Sequence, residues 1–214
     1  MRLHRLLVAV SSLALLPATA AQAQQSRLFD NSWFWGVHAG ATAIGTPATA
    51  VQAHTTVGAD WLITRSMGGL YVSYDQAMFD RTSGIADPAA VNGLRRVSIH
   101  DMRSGSIAGV AFPWHAGNFR PYAGLGMQLS VLGDAVAQTD ANGAASSDVT
   151  QRIEDARSRT TVFLMGGAQW HLNRAALFGQ VTVSPSDSQF LVSRPTTMIV
   201  GGVRYNFGSS IDGE

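Results

Sequence analysis

Eight stretches of this chain alternate apolar and polar residues, and the connections between them are by turns short and long. A period of two sends successive side chains to opposite faces of a strand. The stretches fall at about 33–43, 51–63, 68–79, 95–112, 119–131, 160–171, 175–184 and 196–207. In the first, Trp33, Trp35, Val37, Ala39 and Ala41 share one face, and Phe34, Gly36, His38, Gly40 and Thr42 share the other. The fifth sets Ala123, Leu125, Met127, Leu129 and Val131 against Arg120, Tyr122, Gly124, Gly126, Gln128 and Ser130. The fourth is long, and its part at 105–112 is the one expected inside the bilayer, with Ile107, Gly109 and Ala111 outward. Each stretch reaches or exceeds the roughly 9–11 residues that a tilted strand needs to cross a membrane. Unpaired edge amides have no partner in hydrocarbon, so such strands must close on themselves. The pattern therefore predicts an all-β fold: an eight-stranded antiparallel up-and-down transmembrane β-barrel, apolar outside and polar inside.

The connections near 64–66, 113–118 and 172–174 are short, and those near 44–50, 80–94, 132–158 and 185–194 are longer. In membrane barrels the short turns face the periplasm and the long loops face outside, which puts both strand termini on the periplasmic side. The longest loop, 132–158, is rich in Ala, Asp, Gln, Ser and Gly, a composition expected to leave it mobile.

Composition agrees with a lipid-facing wall. Only 14% of the 214 residues are charged, against about a quarter in ordinary soluble domains, while 46% are hydrophobic. The N-terminus has the layout of a secretory signal: Arg2 and Arg5, an apolar stretch at 6–16, and Ala21-Gln22-Ala23 as a cleavage site. Its apolar part is shorter than the about 20 residues of a spanning helix. The expected organisation is a cleaved signal peptide at 1–23, a short segment at 24–32, the barrel at 33–207 and a periplasmic tail at 208–214. Losing Arg2 and Arg5 from 15 basic residues leaves 13 against 14 acidic ones, a net charge of −1. There is no Lys and no basic run, which argues against nucleic-acid binding. The chain has 0 Cys, so disulfides and thiol chemistry are excluded.

Trp33, Trp35, Trp61, Trp170, Tyr205 and Phe207 all fall near strand ends on the expected periplasmic side, with Trp114 in a turn at the same level. Aromatic side chains at such a level form the girdle that seats a barrel among lipid headgroups.

With strand number, loop alternation and the closing run Gly201-Gly202-Val203-Arg204-Tyr205-Asn206-Phe207, the chain resembles the OmpA/OmpX-like family of small outer-membrane β-barrels over 33–207. That resemblance implies insertion in the outer membrane among lipid and lipopolysaccharide. It also implies that the barrel-assembly machinery reads the last strand and its terminal aromatic. This chain departs from the pattern in that 208–214 follow Phe207, whereas many members end on the aromatic. No peptidoglycan-binding domain is expected after the barrel, so a tethering role is not implied.

An eight-stranded barrel is filled by its own side chains, and buried charge must be paired. Asp60, Arg120 and Arg204 are expected at similar depth in one ion-pair network, with Asp75, farther toward the outside, in another. A hydrolase would need a nucleophile beside an oriented base. His38 and His54 point into the lumen by parity, His115 lies in a turn, His100 in an upper strand and His171 at a strand end, and none has a nucleophile at a telling spacing. No catalytic or cofactor-binding residue is assigned. No HExxH or EF-hand spacing occurs, and the loop acids Asp134, Asp140, Asp148, Glu154 and Asp155 read as a solvated loop rather than a metal site. Arg152, Arg157 and Arg159 near the end of the long loop have the chemistry to meet lipopolysaccharide phosphates, or are ordinary surface charge. The leading expectation is a non-enzymatic surface barrel. A narrow or gated channel for ions and small solutes is the alternative, and a lipid A-modifying enzyme a more distant one. The surface partner is left open.

Overall fold

A computed structural model describes residues 29–185 and 189–209. The signal peptide expected at 1–23, the start of the segment after it, and residues 210–214 of the expected tail lie outside the described residues. Eight long strands run in chain order: β1 Ser32–Ile44, β2 Gln52–Thr64, β3 Gly68–Ala86, β4 Leu94–Ala111, β5 Phe119–Gly133, β7 Ser158–Leu172, β8 Ala175–Ser184 and β9 Thr196–Ser209. A two-residue strand, β6 Val136–Ala137, and a helix, α1 Ser147–Ala156, lie between β5 and β7.

Every long strand pairs antiparallel with its neighbour in sequence, and β1 pairs with β9 to close the barrel. A row of register partners runs from Ala43 through Thr197, Val183, Leu164, Leu125, Gly109, Leu70 and Ile63 and returns to β1 at Trp33, ten residues lower. That stagger is what tilts the strands and shuts the sheet. No described helix is long and apolar enough to cross a membrane; the crossing is made by strands.

The period of two decides which side chains meet which solvent. Val37 is 67% exposed, Leu164 63% and Ile199 58%, whereas Arg204 is 0% and Asp60 2% exposed. An apolar exterior around a charged interior is the reverse of a soluble barrel, and only lipid makes it favourable. At the short-turn end, Phe29 tucks beneath the strands, wholly buried against Phe34 and Phe112, and its carbonyl accepts the Thr64 hydroxyl. The β7–β8 turn is two residues long, with Asn173 at φ 57°, the left-handed geometry that a tight hairpin demands and Asn tolerates.

At the other end the structure departs from the expectation of a mobile loop. Ser146 caps α1 by accepting from the Val149 amide, and Val149 and Ile153, one helical turn apart, are buried. They pack on Ile44, Phe79, Val97, Ile99, Leu132, Phe190 and Leu191 to form a second core at the long-loop end. β3 runs to Ala86, past the expected end at 79, and β6 adds to β4 through Val97 and Ser98. Polar strand residues such as Asp80 to Ser83 show no lipid-facing alternation because this part of the hairpin stands above the bilayer.

Candidate functional site

The lumen is crossed by a chain of ionic contacts supplied by four strands. On one row of register partners, Arg204 of β9 faces Gly36 of β1, which faces Asp60 of β2. On the next row outward, His38 faces Gly58, and Gly58 faces Asp75 of β3. Gly36 and Gly58 are thus the gaps across which the charged side chains meet. A Cβ on Gly58 would stand 2.5 Å from His38 Nε2 and 2.7 Å from Asp75 Oδ1.

Arg204 Nε donates to Asp60 Oδ1 at 2.6 Å. The other oxygen of Asp60 lies 3.3 Å from His38 Nδ1, and His38 Nε2 lies 2.6 Å from Asp75 Oδ1. Ser73 Oγ donates to the remaining Asp75 oxygen at 2.8 Å. With the imidazole protonated, both ring nitrogens donate, and two positive groups cancel two carboxylates. The Arg204 guanidinium also stacks 3.7 Å from the Phe178 ring centre and donates to Gln169 Oε1 at 3.3 Å. Burial of such charges is tolerated only because each faces a partner.

The four residues expected in lumen ion pairs are not all together. Arg204, Asp60 and Asp75 belong to one continuous chain because His38 bridges the two carboxylates. Arg120 is a correction: it stands apart, its guanidinium 4.0 Å over the Phe29 ring. Strand position alone put Arg120 level with Arg204. The fold-back of Phe29 supplies the partner that sequence spacing does not show. His38 was assigned to the lumen but to no bond, because parity gives the face of a residue and not its register.

Above this chain the lumen narrows to two adjoining cavities of about 20 Å³ each, walled by Thr56, Asp75, Ser104, Gln128, Thr182, Ser184 and neighbours. Each has room for a single water. Beside this chain, Tyr122 donates to Gln180 Oε1, and the Gln180 amide donates to the Tyr71 hydroxyl.

The other histidines have different surroundings. His54 Nε2 accepts from Arg81 Nε at 3.1 Å, His171 packs edge-on to Phe29 and Phe34, and His100 meets Asp80 at 2.5 Å on the surface. The Asp80 carboxylate holds the His100 imidazole above its ordinary value. Ser73 bonds to a carboxylate rather than to His38, so the lumen carries no serine activated by that ring. Among the described residues no group of three or more His, Asp or Glu side chains is arranged to hold a metal ion.

The outer wall carries the aromatic side chains at one end. Trp35 stacks on Trp61 at 5.6 Å between ring centres, Trp33 meets Trp61 edge-on, and Tyr205 meets Phe207. Trp170 packs near Phe119 on the opposite side of the barrel. In the cap, Arg95 is buried and donates to Asp87 at 2.8 Å and to the Gly143 carbonyl at 2.7 Å. This pair was not read from the sequence, since both residues sit in a stretch with no clean alternation. Of the three loop arginines, Arg157 pairs with Glu154, and Arg152 reaches Asp148 and the Ala86 carbonyl.

Against solved structures, the chain is similar to Ail, the attachment invasion locus protein of Yersinia pestis, crystallised with the heparin analogue sucrose octasulfate. The TM-score is 0.51 at 11% identity, over 84% of this chain and all of that one. It is also similar to Neisserial surface protein A, with a TM-score of 0.55 at 10% identity over 82% of this chain and 97% of that one. No family model matches the sequence, and no curated protein matches it. The closed eight-stranded barrel and its apolar exterior define the class of fold, a small transmembrane β-barrel, and it is the fold shared with these two proteins.

Proposed function

We propose that this chain is a non-enzymatic surface barrel whose lumen is a structural plug and whose extracellular cap is the working face. One contrast carries the reading. The lumen is spanned by the Arg204–Asp60–His38–Asp75 chain, with two water-sized cavities above it, while the cap is a built structure with its own core and a buried ion pair. A chain whose task ended at the membrane would have no use for that second core. In this reading the aromatic belt of Trp33, Trp35, Trp61, Trp170, Tyr205 and Phe207 seats the barrel at the periplasmic headgroups. Outer-membrane lipid and lipopolysaccharide surround it, and the assembly machinery recognises β9 through Tyr205-Asn206-Phe207.

A narrow channel is the second reading, favoured by the two stacked polar cavities above the ionic chain. Planar-bilayer recording separates the two. The purified barrel is expected to give no discrete current steps in wild type. Steps in wild type that change with Asp75→Ala would establish the channel and overturn the plug.

A further inference from the structure

The barrel wall is not of even height. β7 begins at Ser158, but its pairing with β8 starts only at Leu164, opposite Val183, because β8 ends at Ser184. Upper β7 therefore has β5 on one side and no strand partner on the other among the described residues. Past Pro185 the described chain meets the top of β7 again where Arg159 donates to Gln189 and the Leu191 amide donates to the Ala156 carbonyl. Pro185, which has no amide hydrogen to offer a ladder, is followed farther on by Phe190, Leu191 and Val192, all buried inward in the cap.

That mismatch leaves a cavity of about 380 Å³ on the outside of the wall, lined by Leu125, Val162, Phe163, Leu164, Val183 and Pro185. Its volume falls in the range of built ligand pockets, and every lining side chain is apolar. Pro185 is also part of the lining of the inner polar cavity, so one residue separates the two spaces.

Depth follows from the strand. Outward residues on β7 are apolar from Trp170 up to Val162 and polar at Thr160 and Ser158. Eight residues of strand at about 3.3 Å each, tilted by about 45°, put Val162 roughly 19 Å above Trp170. The apolar band of such barrels is about 25 Å tall. The cavity thus opens just beneath the outer edge of the hydrocarbon, continuous with the lipid-facing surface.

We propose that this notch seats one acyl chain of an outer-leaflet lipid. A recess in that wall is filled by hydrocarbon or left empty, since water has no polar partner there. A chain lying in it removes apolar surface that a smooth wall would not bury, so this lipid is held longer than its neighbours. The site belongs to the lipid-facing wall and is independent of the role given to the lumen or the cap.

The test is native mass spectrometry of the detergent-solubilised barrel with added dipalmitoyl phosphatidylglycerol. Wild type is expected to retain a single lipid through detergent exchange. Val162→Trp and Val183→Trp, which fill the notch from opposite strands, are expected to lower retention about tenfold or more. Leu177→Trp, outward on β8 but outside the lining, is expected to leave it unchanged. A shift between unboiled and boiled samples on an SDS gel verifies that each variant is folded, and either notch variant suffices. Equal retention in the notch variants, or none in wild type, overturns the assignment. Palmitate retained in place of the lipid would also overturn it, by making the occupant a free fatty acid.

Discussion

Arg204 has no access to solvent, and Asp60 is the carboxylate it donates to. Removing that carboxylate strands a buried guanidinium, which is far worse than exchanging the pair for neutral groups. Asp60→Ala is therefore expected to lower stability by about 3–5 kcal/mol, read by urea unfolding in micelles with tryptophan fluorescence. An unchanged midpoint would mean that Arg204 finds another partner. The small neighbours matter as much. A methyl group on Gly58 intrudes between His38 and Asp75, so Gly58→Ala is expected to destabilise by about 1–3 kcal/mol. The same assay reads it, and a neutral effect would show that the contact between His38 and Asp75 contributes little. At this scale the sequence shows which side chains face inward, because parity needs no knowledge of neighbours. It does not show that His38 joins Asp60 to Asp75, since that depends on a ten-residue stagger accumulated around the whole ring.

Among the elements, β8 lies at 175–184 as expected from alternation alone, and the others differ by a few residues at their ends. The larger difference is β3, which continues to Ala86, and the segment expected to be mobile, which holds α1. Outside the bilayer no lipid enforces alternation, so the sequence signal fades where the strands go on. The helix was signalled by Ser146 before a Val149–Ile153 pair, a short pattern outweighed by the polar composition around it. Ile153→Ala is expected to cost about 2–5 kcal/mol of cap stability, seen as faster amide exchange in β6 and α1 with the barrel strands unchanged. Acid should act on the same element. Arg95 beside Asp87 holds that carboxyl below its ordinary value of 3.8. A carboxyl depressed on folding stabilises above its ordinary value, and the contribution disappears as pH falls through the folded value. The chain has 0 Cys, so a single cysteine placed at Gln151 can carry a spin label on α1. Its mobility is expected to rise below about pH 4 in wild type. In Asp87→Asn it should be raised already at neutral pH, with no acid step; the same acid step in that variant would place the switch elsewhere.

For the whole molecule, alternation, closure and the apolar exterior form one argument. Eight strands with the opposite parity would fold around an apolar lumen and face water. This chain places Val37, Leu164 and Ile199 outside and Arg204 and Asp60 inside, and only a membrane makes that order favourable. The fold was legible because bilayer thickness and the period of two leave few options. The role of the cap was not, because small barrels of one architecture serve many ends and the cap's chemistry is local. The central claim is a closed barrel held in lipid, and heat-modifiability tests it most directly. Outer-membrane fractions are run unboiled and boiled on one SDS gel. A closed, detergent-resistant barrel is expected to migrate differently in the two lanes. Identical migration, with the protein recovered from the soluble periplasm, would contradict a lipid-facing wall and make a soluble β-barrel the better description.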